Sequence, residues 1–157
     1  MQKILFLCTG NICRSSTAEA IAKKIAKDLK VDREFLFDSA GLSDYHVSES
    51  SDPRSIKVAA KNGVDLSTIR ARQVTQADFS DFDYIFCMDQ GHLQSARRIS
   101  PEKHHDKIQL FLDFAKSDDF SQAQVPDPYY SSDLVFEEVF VLIFKGVNQM
   151  MKNLTKN

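Results

Sequence analysis

The chain has 157 residues, the size of one compact domain that buries about two-thirds of its unfolded surface and needs no staples to fold. Its 43% hydrophobic and 27% charged content excludes a disordered or fibrous chain. Lys+Arg 20 against Asp+Glu 22, a net charge of -2, argues against a nucleic-acid coat or a polybasic membrane binder and leaves room for a local basic pocket.

Residues 4–8 form an unbroken apolar run, as expected of a strand covered on both faces. Gly10-Asn11 breaks it, and Ser16-Thr17-Ala18-Glu19 has capping-box spacing. Ala18, Ile21, Ala22, Ile25, Ala26 and Leu29 then recur at helical spacing. Residues 3–30 thus read as strand, short loop and helix. A second strand is predicted over 35–39, followed by a polar loop over 43–52. Pro53 suits a helix's first turn and Gly63 its end, which predicts a helix over 53–62. Residues 84–88 and 108–112 read as the third and fourth strands, with a helix over 90–99 between them. Residues 115–131, with Pro126 and Pro128, form a long polar loop of the kind that carries function. Phe136, Val139, Phe140, Ile143, Val147, Met150, Met151 and Leu154 make one stripe of a final helix. The expectation is a single α/β domain over 1–157: a four-stranded parallel sheet with helices on both faces.

The odd count of three cysteines, Cys8, Cys13 and Cys87, does not make a disulfide framework. It points to the reducing cytoplasm, where a thiol serves packing or reactivity. Neither the N-terminal apolar run nor that over 139–144 is long enough for a signal core or a membrane span.

Ligands of open α/β sheets bind beyond the carboxyl ends of strands. The first such loop is Cys8-Thr9-Gly10-Asn11-Ile12-Cys13-Arg14-Ser15. Gly10 and Asn11 both tolerate positive φ, so the backbone can aim successive N–H groups inward as an anion nest. The following helix adds its N-terminal donors, and Arg14 adds a planar fork for two phosphate oxygens. Cys8 sits in that positive field, which favours a thiolate nucleophile. Taken alone, a Cys-x5-Arg spacing also arises by chance, and a cysteine ending a core strand is often a small buried hydrophobe. Cys87 is read in that second way.

Phosphoryl transfer also needs a proton donor for the leaving oxygen. Asp127, between Pro126 and Pro128, is the candidate, although Asp-Pro equally initiates turns. Tyr129 and Tyr130, adjacent in a polar loop, suit a recognition cleft better than a core.

Together, the Cys8–Ser15 segment and Asp127-Pro128-Tyr129-Tyr130 resemble the low-molecular-weight protein tyrosine phosphatases. Asp38-Ser39-Ala40-Gly41, Ser51-Asp52-Pro53-Arg54, Ala71-Arg72-Gln73-Val74 and Phe82-Asp83-Tyr84-Ile85 with Met88-Asp89 match in order, so the likeness spans nearly the whole chain. The resemblance implies a phosphotyrosine-protein phosphatase with Cys8 as nucleophile, a phosphocysteine intermediate and Asp127 as acid and then base. Thr9, Gly10, Asn11, Ile12, Cys13 and Arg14 would bind phosphate, supported by Asn11, Ser15 and Ser39. Ile12, Tyr45, Tyr129 and Tyr130 would line the substrate cleft, and Cys13 would pair with Cys8 on oxidation. It implies no metal or other cofactor, since Arg14 and the amide nest supply the positive potential. The expected partners are phosphotyrosyl proteins, with inorganic phosphate as product and competing ligand. Neither nucleic acid nor membrane is expected, and the chain is expected to be a monomer.

Ser16, Tyr45, Ser48 and Ser131 depart from the family's usual residues. Tyr45 and Ser48 bear on peptide preference. The alternative readings are an arsenate reductase-like thiol enzyme and an arginine phosphatase of the same superfamily. The first lacks a second cysteine near Cys87. The second would carry threonine at Ile12 and no paired tyrosines.

Overall fold

The computed structural model describes residues 1–116, 120 and 123–156. Strand β1 (Gln2–Cys8) leads into helix α1 (Arg14–Asp28), and β2 (Phe35–Gly41) leads through a loop to α2 (Pro53–Lys61). Helix α3 (Gln76–Asp81) precedes β3 (Tyr84–Cys87) and α4 (Gln90–Ile99). A 3-10 turn (Glu102–Lys107), β4 (Ile108–Leu110), α5 (Phe111–Ala115) and the long α6 (Asp133–Leu154) complete the fold.

All strand pairs are parallel, in the order β2-β1-β3-β4. The expected four-stranded α/β sheet is therefore present. Strand β1 is interior, and its alternate residues feed two cores. Ile4 and Phe6 pack with α1, α5 and α6, while Leu5 and Leu7 pack with Phe79 of α3 and Leu93 and Ala96 of α4. Burial on both faces is why β1 shows no apolar–polar alternation. Cys87 is fully buried in the second core, and that burial pushes its thiol up to about 12. Helix α6 crosses α5 closely at Gly146, where a Cβ would stand 2.8 Å from the Phe111 ring.

The strand order also locates the site. The chain leaves β1 for β2 on one side and later returns to β3 on the other, so a crevice opens beyond the carboxyl ends of β1 and β3.

Three local expectations change. The fourth strand ends at Leu110, and Phe111–Ala115 is helical, burying Phe111, Leu112 and Ala115. A short apolar run does not distinguish a strand from a buried helical turn. The Ser16–Glu19 capping box does not form, because α1 already begins at Arg14. Ser16 and Thr17 lie inside its first turn, and both hydroxyls donate to the Cys13 carbonyl, at 3.3 and 2.6 Å. Helix α3 was not anticipated; its Asp78 accepts the Thr75 N–H at 2.7 Å across the first turn. Helix α2 starts as expected, with Pro53 in its first turn and Asp52 accepting the Arg54 N–H at 2.9 Å. Of the long loop expected over 115–131, residues 117–119, 121 and 122 lie outside the described residues.

Candidate active site

Strand β1 carries Cys8 to the crevice, and the loop folds back over its sulfur. The Asn11 backbone N–H donates to Cys8 Sγ at 3.3 Å, and Ser15 Oγ lies 2.9 Å from it. Asn11 Nδ2 donates to Ser15 Oγ at 2.8 Å, which leaves the Ser15 hydroxyl hydrogen for the sulfur. The other Nδ2 hydrogen goes to Ser39 Oγ at 2.9 Å, and Ser39 in turn donates to Glu19 Oε2 at 2.9 Å. Asn11 Oδ1 accepts the Arg72 N–H at 3.0 Å. Two donors therefore converge on the sulfur, an arrangement that suits an anion.

Only Asn11 of the expected pair takes a positive φ, 59°. Gly10 serves another purpose: a Cβ there would stand 2.9 Å from the His46 ring. Gly41, at the end of β2, backs the same loop, and a Cβ on it would meet the Thr9 carbonyl at 2.8 Å.

A cavity of about 200 Å³ opens over Cys8. Thr9, Gly10, Ile12, Cys13 and Arg14 line it from the loop, Tyr45 and His46 from the segment after β2, and Asp127, Tyr129 and Tyr130 from the segment before α6. Asn11, Ser15 and Ser39 lie behind it as the supporting chain. Tyr45 and Tyr130 are 79% and 92% exposed, so they form a rim rather than closed walls. Tyr129 packs edge-on against Tyr130 and receives a hydrogen bond from Arg54 Nη2 on its carbonyl at 2.9 Å. Ser48 holds a φ of 71°, a conformation that favours glycine.

Asp127 lines the cavity, and its two carboxylate oxygens have different neighbours. Its Oδ1 accepts the Tyr129 N–H at 3.1 Å, as a turn aspartate does, while Oδ2 lies 3.8 Å from Arg14 Nη2.

Arg14 is 3% exposed. Its Nη1 donates to Asp89 Oδ2 at 2.8 Å and to the Val125 carbonyl at 3.0 Å, and its Nη2 donates to His92 Nε2 at 3.3 Å. Burial raises the Asp89 carboxyl, but the His92 N–H and the Arg14 hydrogen bond and charge outweigh it, so it sits below the ordinary range. Burial, then Arg14's charge, pushes His92 down to about 4. Burial, then the Asp52 carboxylate, pushes the Cys13 thiol up to about 12. Glu19 is raised, chiefly by burial, against the pull of Lys23.

Asp89 and His92 are not among the site residues expected from the sequence, and Glu19 is expected there only as the end of a capping box. The signal for the first two was their place directly after β3, at the N-terminus of α4.

A parallel sheet with a thiol, a buried arginine and an acid at its switch point defines an α/β protein built to hold an anion against a cysteine. A family model for low molecular weight phosphotyrosine protein phosphatase matches residues 3–157. The low molecular weight protein-tyrosine-phosphatase YfkJ of Bacillus subtilis is 36% identical over 156 residues, 99% of this chain and 97% of that protein. The crystal structure of an Entamoeba histolytica protein tyrosine phosphatase superposes with a TM-score of 0.92 at 34% identity, covering 98% and 97% of the two chains. Wzb of Vibrio vulnificus, solved in complex with benzylphosphonate, gives a TM-score of 0.83 at 30% identity and covers 97% and 98%. The chain belongs to the low molecular weight phosphotyrosine protein phosphatase family.

Proposed function

We propose that this chain hydrolyses phosphotyrosyl proteins and other aryl phosphate monoesters through a phosphocysteine intermediate. The observation that carries the reading is Cys8 Sγ, met by two donors at the base of a cavity that also holds Arg14 and Asp127. The Cys8 thiolate attacks phosphorus, forming a P–S bond as the P–O bond to the phenol breaks. Asp127 gives its proton to the departing phenolate. Arg14 and the loop amides hold the equatorial oxygens while charge shifts among them. In the second half, the Asp127 carboxylate takes a proton from water as its oxygen attacks phosphorus. The P–S bond breaks, returning the thiolate and releasing inorganic phosphate.

Charge comes from Arg14 and the loop, so the reading calls for no metal. Ile12 with Tyr129 and Tyr130 favours an aromatic ring over a guanidinium, and the likeness to a protein that holds benzylphosphonate supports the same preference. Cys13 is the thiol that closes on oxidised Cys8. The enzyme works as a cytoplasmic monomer, with inorganic phosphate as product and competing ligand. Among the described residues, no helix is long and apolar enough to cross a membrane. Hydrolysis of para-nitrophenyl phosphate and phosphotyrosyl peptides without added metal tests the reading. Cys8→Ser should abolish turnover, and full activity in that variant would overturn it.

A further inference from the structure

His92 lies outside the loop yet touches it twice. It is the third residue of α4 and 4% exposed. Its Nε2 stands 2.9 Å from Thr9 Oγ1 and 3.3 Å from Arg14 Nη2. A guanidinium has only donors, so the tautomer that bonds Arg14 is the one with its proton on Nδ1, and the Thr9 hydroxyl then donates to the same Nε2 lone pair. Nδ1 is 3.2 Å from Asp89 Oδ1 but is not aligned to hydrogen-bond it. That oxygen instead accepts the backbone N–H of His92 at 2.9 Å.

Arg14 has five N–H bonds to place. The two on Nη1 go to Asp89 and the Val125 carbonyl, and one on Nη2 goes to His92. Nε–H and the second Nη2–H have no hydrogen-bond partner among the described residues. Those two lie on one side of the planar fork, where they match two oxygens of a phosphoryl group. Asp89 and Val125 hold the Nη1 corner alone. His92 holds the Nη2 corner and thereby sets which edge of the fork is left for the anion.

We infer that His92, as a neutral Nε2 acceptor, is a positioning residue that turns the open edge of Arg14 toward the phosphoryl group and ties Thr9 to it. The inference rests on the phosphatase reading above and assigns a specific task to a residue in the first turn of the helix that follows the neighbouring strand. Burial and the Arg14 cation, opposed by Asp89 and Asp127, keep the ring neutral across the physiological range.

Gln and Met provide the test, because they share a shape and differ in the polar end. His92→Gln can place an amide oxygen near the Nε2 position, and His92→Met cannot. With the Met variant, kcat/KM for para-nitrophenyl phosphate should fall about 10–30-fold, and the Kd for inorganic phosphate by calorimetry should rise about 5–10-fold. Gln should bring both to within about threefold of wild type. In an Arg14→Lys background, His92→Met should weaken phosphate binding by less than about twofold, because its effect passes through the guanidinium. Equal losses in Gln and Met, or an undiminished loss in the Arg14→Lys background, would overturn the inference. Thermal melts check the fold, and His92→Leu replaces Met if Met melts below the assay temperature. Wild-type protein without turnover sinks the phosphatase reading, whereas phosphate affinity still decides the part assigned to His92.

Discussion

Arg14 Nη1 and Asp89 Oδ2 stand 2.8 Å apart, joining the loop that leaves β1 to the one that leaves β3. The arginine side chain is 4% exposed and the aspartate 27%. A buried guanidinium keeps its place only if its charge and hydrogen bonds are answered. Asp89 answers both, and it also caps α4 by accepting the His92 N–H.

Removing that carboxylate should therefore reach the chemistry through Arg14. Asp89→Ala is expected to lower kcat/KM for aryl phosphates about 10–100-fold, because a fork free to turn loses its register with the phosphoryl oxygens. Asp89→Asn retains a cap and a hydrogen-bonding oxygen, so its loss should be smaller. Steady-state kinetics on para-nitrophenyl phosphate read the difference. An Asp89→Ala enzyme within twofold of wild type would show that Val125 and His92 hold Arg14 unaided.

The short reach from Asp127 to the loop gives a prediction graded by substrate. If Oδ2 protonates the leaving oxygen, Asp127→Ala should slow the phosphorylation step by about 10²–10⁴-fold for phenyl phosphate. Dinitrophenyl phosphate, whose phenolate departs without help, should lose far less. Single-turnover release of each phenol measures this. Equal losses across the series would reduce Asp127 to its turn, held by the Oδ1 bond to the Tyr129 N–H.

Helix α1 ends on a residue whose backbone is strained for its side chain. Lys30 has a φ of 61°, with its N–H on the Lys27 carbonyl at 3.0 Å and the Val31 N–H on the Ala26 carbonyl at 2.9 Å. That is a left-handed helix termination, usually occupied by glycine. Lys30→Gly relieves the Cβ strain and gives back part of the gain as unfolded-state entropy, a net stabilisation of about 0.5–1 kcal/mol. The expected rise in Tm is about 1–4 °C, with kcat unchanged because this end of α1 is opposite the cavity. A lower Tm would contradict the strain argument.

Much of this site was legible because it is contiguous. Cys8, the turn, Arg14 and α1 occupy one stretch, and each residue's conformational preference agrees with its neighbours'. Asp89 and His92 were not legible for the converse reason. Their meaning depends on β3 lying beside β1, and strand order does not follow from apolar periodicity. Glu19 was misread because its spacing from Ser16 imitates a cap; the helix instead begins at Arg14, and burial gives the carboxylate to Ser39. The fourth strand reads longer in the sequence than it is for a similar reason, since Phe111 and Leu112 are as apolar in a helical turn under α6 as in a strand.

The two loop cysteines are set apart by environment, and pH should expose the difference. In the redox pairing proposed above, peroxide would convert Cys8 to a sulfenic acid, and the Cys13 sulfur would then displace its oxygen as water to form the disulfide. The attacking group in that step is the Cys13 thiolate. With its thiol pushed up to about 12, first by burial and then by Asp52, that thiolate is scarce at neutral pH. Its population rises about tenfold per pH unit until the pH approaches that value. After Cys8 is oxidised at pH 7 and the sample is jumped to pH 8 or 9, disulfide closure should quicken by nearly the same factor per unit. Asp52→Asn should also quicken it at pH 7, because it removes one of the charges that disfavour the thiolate while keeping a capping side chain for α2. Mass spectrometry of quenched samples follows the loss of one water from the sulfenic acid, which leaves the protein two hydrogens lighter than its reduced form. A closure rate flat from pH 7 to 9 and unmoved by Asp52→Asn would mean that backbone rearrangement, rather than ionisation of Cys13, limits the step.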